Sequence, residues 1–225
     1  MLSNEVIKSN KAKFIELLSG VNREGIEDLI NYISESDFFM APASTMYHCD
    51  FDGGLCQHSL NVYMNLNFII KAYGLDYPEE TIILVSLLHD ISKINFYEKY
   101  FRNQKLYNEN GSKFDDLGKF DWVSVLSYKV KEADLRDIGA DHGTSSFILI
   151  NKFINLTDEE RIAIINHHMG MGEAQLNKDM NVIANRYPLT FLLHLADMAS
   201  SYICENKNIE EHRIKKEEEE VESTN

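Results

Sequence analysis

The stretch Leu84 to Tyr97, LVSLLHDISKINFY, sets an imidazole and a carboxylate side by side, His89 and Asp90, at the end of a run that is otherwise apolar. Burying an ionised carboxylate without a partner is costly, so an Asp in that position needs a cation or strong donors to meet it. Side chains of the same chemical kind recur along the chain at His58, His142, the pair His167-His168, and Asp197. Imidazole nitrogens and carboxylate oxygens that converge from separate helices suit manganese, iron, cobalt, nickel or zinc. Each of these residues alone reads more simply as a satisfied core histidine or a solvated helix end. Taken as a set, they point to metal.

The elements that must position them read mostly as helix. A first helix runs from about Asn4 to Leu18. In a second, capped by Asn22, Ile26, Leu29, Ile30 and Ile33 recur at helical spacing. From Phe38 to Gly54 the pattern is irregular, and the pair Gly53-Gly54 reads as a tight turn that presents His58 on a helix from about Leu55 to Tyr73. Pro78 suits the first position of the next helix, which carries Leu84, Leu87 and Leu88 to His89 and Asp90. Between Asn95 and Gly139 aromatics alternate with polar residues around NENGSK, the pattern of a β-hairpin. A helix opens near Gly143. Another begins at Thr157-Asp158-Glu159-Glu160, a capping-box spacing, and ends at His167-His168. The last starts at Pro188 and passes His194 and Asp197.

Length and composition favour one domain. With 225 residues, 44% of them hydrophobic, the chain can bury a sizeable core, and no linker or repeat divides it. We expect a single domain over residues 1–204, with a hairpin insertion at about 96–139, and an acidic, flexible tail over 205–225. No apolar run approaches the ~18 residues of a membrane span, and the N-terminus lacks a hydrophobic signal core, so a cytoplasmic protein without a membrane partner is expected. Cys49, Cys56 and Cys204 form no metal-ribbon or disulfide pattern. The net charge of −14 argues against a long duplex nucleic acid as partner, which would require a basic stripe.

On these residues the chain resembles the HD-domain metal-dependent phosphohydrolases. The resemblance covers Pro42 to Ser201. It rests on Gly53-Gly54-Leu55-x-x-His58, then Leu88-His89-Asp90-Ile91-x-Lys93, then His194-Leu195-Ala196-Asp197, in the order H…HD…D that defines the family. His142 and the pair His167-His168 look like the additional ligands of its two-metal branch, which includes cyclic-dinucleotide phosphodiesterases. The insertion and the dipeptide His142-Gly143 resemble those of stand-alone phage and bacterial members of this size. The resemblance implies a mainly α fold, a helical bundle with a small β-hairpin insertion. It also implies one or two divalent ions (manganese, iron, cobalt or nickel, with magnesium and zinc as further candidates). His58, His89, Asp90 and Asp197 would hold the first ion. Asp90, His142, His167 and His168 would hold the second, with Asp90 bridging. Successive helical residues point in different directions, so both His167 and His168 can serve only if the helix unwinds before Gly170.

Two such ions, roughly 3.5–4 Å apart, activate water at neutral pH and clamp phosphoryl oxygens. The expected activity is therefore hydrolysis of a phosphomonoester or phosphodiester in a nucleotide, cyclic nucleotide or related small phosphorylated molecule. Asp90 and Lys93 are the candidate catalytic residues, and Lys93, His48 and Arg102 the candidate substrate contacts. His194, three residues before Asp197, shares its helix face and can orient a ligand or pack in the core. Two alternatives stand beside this reading: an HD-fold di-iron oxygenase, which uses a similar ligand set, and a non-catalytic nucleotide-sensing module.

Overall fold

A computed structural model describes residues 2–132, 141–169 and 176–206, and the side chains of residues 176–179 are not among those described. The fold is mainly α. Its helices are α1 (Asn4–Ser19), α2 (Ile26–Glu35), α3 (Gly54–Ala72), α4 (Glu79–Leu88), α5 (His142–Ile150), α6 (Asp158–Ile165), α7 (Leu176–Arg186) and α8 (Pro188–Ala199). A 3₁₀ turn at Ile91–Lys93 follows α4, and a π-helical turn at Ser200–Cys204 follows α8.

The centre of the bundle is α4. Every residue from Thr81 to Leu88 is buried, and a helix that is apolar all round can only be a core helix. It packs on α1, α3 and α6, while α3 also lies along α8 and α6 along both α5 and α8. The run that places His89 and Asp90 at its end is thus the innermost segment of the protein.

Several local expectations need correction. The N-cap of α2 is Gly25, not Asn22. The chain first makes a turn, closed by the bond from the Ile26 amide to the Arg23 carbonyl, that turns Arg23 toward α6. Helix α4 ends at Leu88, with His89 as its C-cap, and α6 ends at Ile165, two residues before the histidine pair. Helix α7 was not anticipated. It packs on α8 and buries Met180.

The insertion is a three-stranded antiparallel sheet in the order β1-β3-β2, with β1 at Tyr97–Tyr107, β2 at Lys113–Asp115 and β3 at Gly118–Val130. Strands β1 and β3 form the long ribbon, in register from Tyr97↔Val130 to Tyr107↔Phe120. The expected turn at Asn108–Gly111 is present, closed by the Gly111 amide on the Asn108 carbonyl. The chain then adds β2 before turning again at Asp115–Gly118. The base of the ribbon is tied to the loop before α3: the Tyr97 hydroxyl donates to the Ala43 carbonyl at 3.1 Å, and Lys99 and Tyr128 both reach Asp52.

One buried ionic network clamps the far side of the bundle. Glu160, fully buried, accepts a forked pair of bonds from Arg23, both at 2.8 Å, and a third at 2.7 Å from Thr81. It also closes the capping box of α6 by accepting from the Thr157 amide at 2.8 Å. Burial pushes the Glu160 carboxyl up, but Arg23 and the Thr donors outweigh it and hold it below its ordinary 4.5. A depressed carboxyl stabilises the fold above its unfolded pKa, and that contribution is lost as pH falls through the lower folded value. Glu160→Ala leaves Arg23 without its buried partner and should cost about 3–5 kcal/mol of unfolding free energy in urea titrations at pH 7. The variant's stability should also fall less steeply than the parent's as pH drops below 4.5. A loss under about 1 kcal/mol would contradict this reading.

Candidate metal centre

Asp90 leaves α4 just past its end, at φ −109° and ψ 15°, and its carboxylate is buried. Oδ2 accepts from Lys93 Nζ at 2.7 Å and lies 3.4 Å from His89 Nε2 and 3.8 Å from His58 Nε2. Oδ1 lies 3.8 Å from both His142 Nε2 and His167 Nε2 and has no hydrogen-bond partner. His58 Nε2 also lies 3.1 Å from Asp197 Oδ1. The residues singled out by type alone are therefore brought together from α3, the end of α4, the start of α5, the end of α6 and α8.

The orientation of the rings says what they can bind. His89 Nδ1 donates to the Ser86 carbonyl at 2.8 Å, and His167 Nδ1 to the Ile164 carbonyl at 2.6 Å. A carbonyl can only accept, so each ring places its proton on Nδ1 and leaves an Nε2 lone pair on its inner side, that of His89 3.4 Å from Asp90 Oδ2 and that of His167 3.1 Å from His142 Nε2. His89 Nε2 is buried with no hydrogen-bond partner, as is Asp90 Oδ1. Inward-facing lone pairs opposite a buried carboxylate oxygen repel one another unless a cation lies among them. Groups of ligand atoms within 4.8 Å of one another are formed by His58, His89 and Asp197, by His89, Asp90 and His167, by His142, His167 and His168, and by His48, His58 and Glu205. These buried His/Asp clusters could hold a metal ion.

Electrostatics agree with the geometry. Burial alone would raise the Asp90 carboxyl, but the Lys93 ammonium beside it holds it well below its ordinary value, so it is ionised. Burial pushes His142 down to about 4, and it lowers His167 and His168 as well. All three rings are neutral at pH 7, the form that ligates a metal. His58 is the exception: burial opposes its protonation, yet Glu205 and Asp197 raise it to about 10. A metal cation bound there would displace that proton.

The histidine pair is resolved by unwinding. After α6 stops at Ile165, residues 166–169 form a turn in which Met169 takes a left-handed φ of 48°. The rings of His167 and His168 then lie 4.5 Å apart and at 4.9 and 4.4 Å from that of His142. His194 Nδ1 donates to the His167 carbonyl at 2.7 Å, so α8 pins this turn without offering a ligand from His194. Gly143 is what lets α5 approach: a Cβ there would stand 2.4 Å from the Ile165 carbonyl oxygen. Similarly, Gly53 at φ 81° and Gly54, where a Cβ would stand 2.0 Å from the Cys49 carbonyl oxygen, let the loop close tightly before His58.

Glu205 was missed, because the acidic run that follows it reads as a solvated tail. Its carboxylate is buried, accepts from His58 Nδ1 at 3.0 Å and from Asn61 Nδ2 at 2.9 Å, and ends a relay. In that relay Asn10 donates to Gln57 and Gln57 to Asn61, each at 2.9 Å. The relay fixes which nitrogen of His58 faces Asp90 and Asp197. Residues 207–225 of the expected tail lie outside the described residues.

The candidate substrate contacts divide. Lys93 is half-buried, bonded to Asp90 and, at 2.8 Å, to the Ala43 carbonyl. His48 stacks at 4.8 Å from the His58 ring, and its Nε2 is buried with no hydrogen-bond partner. Arg102 lies on β1 opposite Val125. That is five residues beyond Tyr97, about 16 Å along the strand, and no contact among the described residues joins it to the cluster. A cavity of about 200 Å³ opens over the centre between Tyr47, His48, Lys93, His168, Asp197 and Tyr202.

Among the described residues, no helix is long and apolar enough to cross a membrane. Compared with protein-family models, curated proteins and solved structures, the chain matches none.

Two outcomes follow. Asp90→Ala removes the carboxylate that lies within 3.8 Å of His58, His89, His142 and His167, and elemental analysis of the purified variant should find under about a tenth of the metal retained by the parent; parental metal content would contradict the assignment. Glu205→Ala removes the acceptor that orients His58 and should weaken metal affinity about 10- to 100-fold in chelator competition. Unchanged affinity would show that Glu205 plays no part in orienting the ligand.

Proposed function

We propose that this chain is a metal-dependent phosphohydrolase of the HD type, acting on a phosphate ester of nucleotide size. The observation that carries the proposal is the convergence of His58, His89, His142 and His167 on the single buried carboxylate of Asp90, with Asp197 beside His58 and His168 beside His142 and His167. The order of these residues along the chain is the H…HD…D order of that family, with the extra histidines of its two-metal branch. His58, His89, Asp90 and Asp197 would hold one ion, and Asp90, His142, His167 and His168 a second. When bound, such ions lower the pKa of water and offset negative charge on phosphoryl oxygens.

The remaining roles belong to the chain itself. Asp90 stays ionised and offers one oxygen to each ligand group. Lys93 has three N–H donors, of which Asp90 and the Ala43 carbonyl take two; the third is free to meet a phosphoryl oxygen in the cavity that Lys93 lines. Burial and the neighbouring His58 lower His48 to about 4, so it is a neutral hydrogen-bonding wall of that cavity rather than a charge. Lys99 and Lys105 are paired with Asp52 and Asp115, so they add little net positive potential for a polyanion.

The test is phosphate release from a panel of nucleotides, cyclic nucleotides and cyclic dinucleotides with manganese, cobalt, nickel, magnesium or iron supplied. Release should occur with at least one metal and vary less than about twofold between 50 and 200 mM salt, unlike a reaction on a long polyanion. His142→Ala should lose one equivalent of metal in titrations and retain the other. Oxygen uptake by the iron-loaded protein without phosphate release would favour the oxygenase alternative. A wild-type stoichiometry that never exceeds one ion per chain would overturn the binuclear assignment.

A further inference from the structure

The cavity over the metal ligands is not isolated. A second cavity, of about 350 Å³, shares with it the walls Tyr47, His48, Ser201 and Tyr202 and continues outward to Met46, Phe51, Asp50 and Glu205. The two compartments differ in charge. Lys93 is the one Lys or Arg lining the inner cavity among the described residues, and none lines the outer one. The outer compartment is lined instead by Asp50 and by Glu205, the latter bonded to His58 and Asn61, beside the apolar side chains of Met46 and Phe51.

Two tyrosines flank the passage between the compartments. Tyr47 is 84% exposed and Tyr202 60% exposed, so neither ring is used to build the core. Both line both cavities. An exposed aromatic ring beside a reaction centre is a stacking surface for a planar group, and stacking tolerates any base. The cavities lie near or below the lower end of the roughly 300–1,000 Å³ usual for ligand sites, which suits one small ligand rather than an oligomer.

We propose that the substrate carries a single phosphate, held in the inner cavity at Lys93 and the metal ligands, and a neutral leaving group with a planar ring. That leaving group, in chemical class a nucleoside, lies against Tyr47 and Tyr202 in the outer cavity. A second or third phosphate would have to lie in the outer cavity, which no Lys or Arg among the described residues lines, so nucleoside triphosphates and cyclic dinucleotides are disfavoured. This deepens the phosphohydrolase reading and rests on it for the position of the phosphate.

The test separates binding from turnover. Calorimetry on the full-length protein would use adenosine, guanosine, cytidine and uridine 5′-monophosphates, the matching triphosphates and a cyclic dinucleotide, with glycerol 2-phosphate as an ester that lacks a ring. At least one monophosphate should bind tenfold or more tightly than its triphosphate and than the cyclic dinucleotide. Tyr47→Ala and Tyr202→Ala, which remove exposed rings, should each weaken that monophosphate roughly 5- to 150-fold, and leave glycerol 2-phosphate within twofold. Equal or tighter binding of triphosphate or dinucleotide, no effect of either tyrosine variant, or no measurable binding of any nucleotide would overturn the inference. Phosphate release is measured in parallel: if no ester is hydrolysed with any metal, the phosphohydrolase reading fails, and the binding order still decides this one.

Discussion

The structure depends on one buried carboxylate. Asp90 sits at the end of the most deeply packed helix, and its Oδ1 has no hydrogen-bond partner although imidazoles from α5 and the end of α6 face it. An ionised carboxylate in that position is stable only with concentrated positive charge around it. Lys93 supplies part of that charge to Oδ2. The lone pairs of His89 and His167, turned inward by carbonyl acceptors on their far side, make the rest of the pocket receptive to a cation.

Much of the surrounding fold can be understood as the means of holding five chain segments against that carboxylate. Helix α4 delivers it from the core. Ser92, whose hydroxyl donates to the His142 carbonyl at 2.8 Å, and Gly143 fix the start of α5 beside the end of α6. The Arg23–Glu160 network anchors the opposite end of α6, so the turn that carries His167 and His168 projects from a fixed helix. Glu205 and its amide relay do the same for His58 from the C-terminal side. The outer cavity is built partly from this C-terminal segment, which couples ligand orientation and ligand access to the same few residues.

How much of this was legible in the sequence follows from the range of each interaction. Periodicity and local caps are short-range signals, and they located α1, α3 and α8 and the capping box at Thr157–Glu160 within a residue or two. The candidate ligands were legible because imidazoles and carboxylates at the ends of apolar helices are chemically conspicuous. Long-range pairings were not legible: nothing local in an acidic run marks Glu205 as the partner of His58, 147 residues away in sequence. The start of α2 was misread because Asn22 is an ordinary cap, whereas Gly25 at φ 85° takes that position. The unwinding at His167 depends on contacts from α5 and α8 that no helical pattern within α6 could reveal. Arg102 was attractive for its charge; it lies on β1 opposite Val125, and no contact among the described residues joins it to the cluster.

The central claim is that Asp90 is the shared ligand of two ions. The measurement that bears on it most directly is anomalous scattering from crystals grown with manganese, which locates ions independently of activity. The account predicts two peaks on either side of the Asp90 carboxylate, one among His58, His89 and Asp197 and the other among His142, His167 and His168. Manganese elsewhere, for example at His48 and Glu205, with no ion within bonding distance of Asp90, would contradict it.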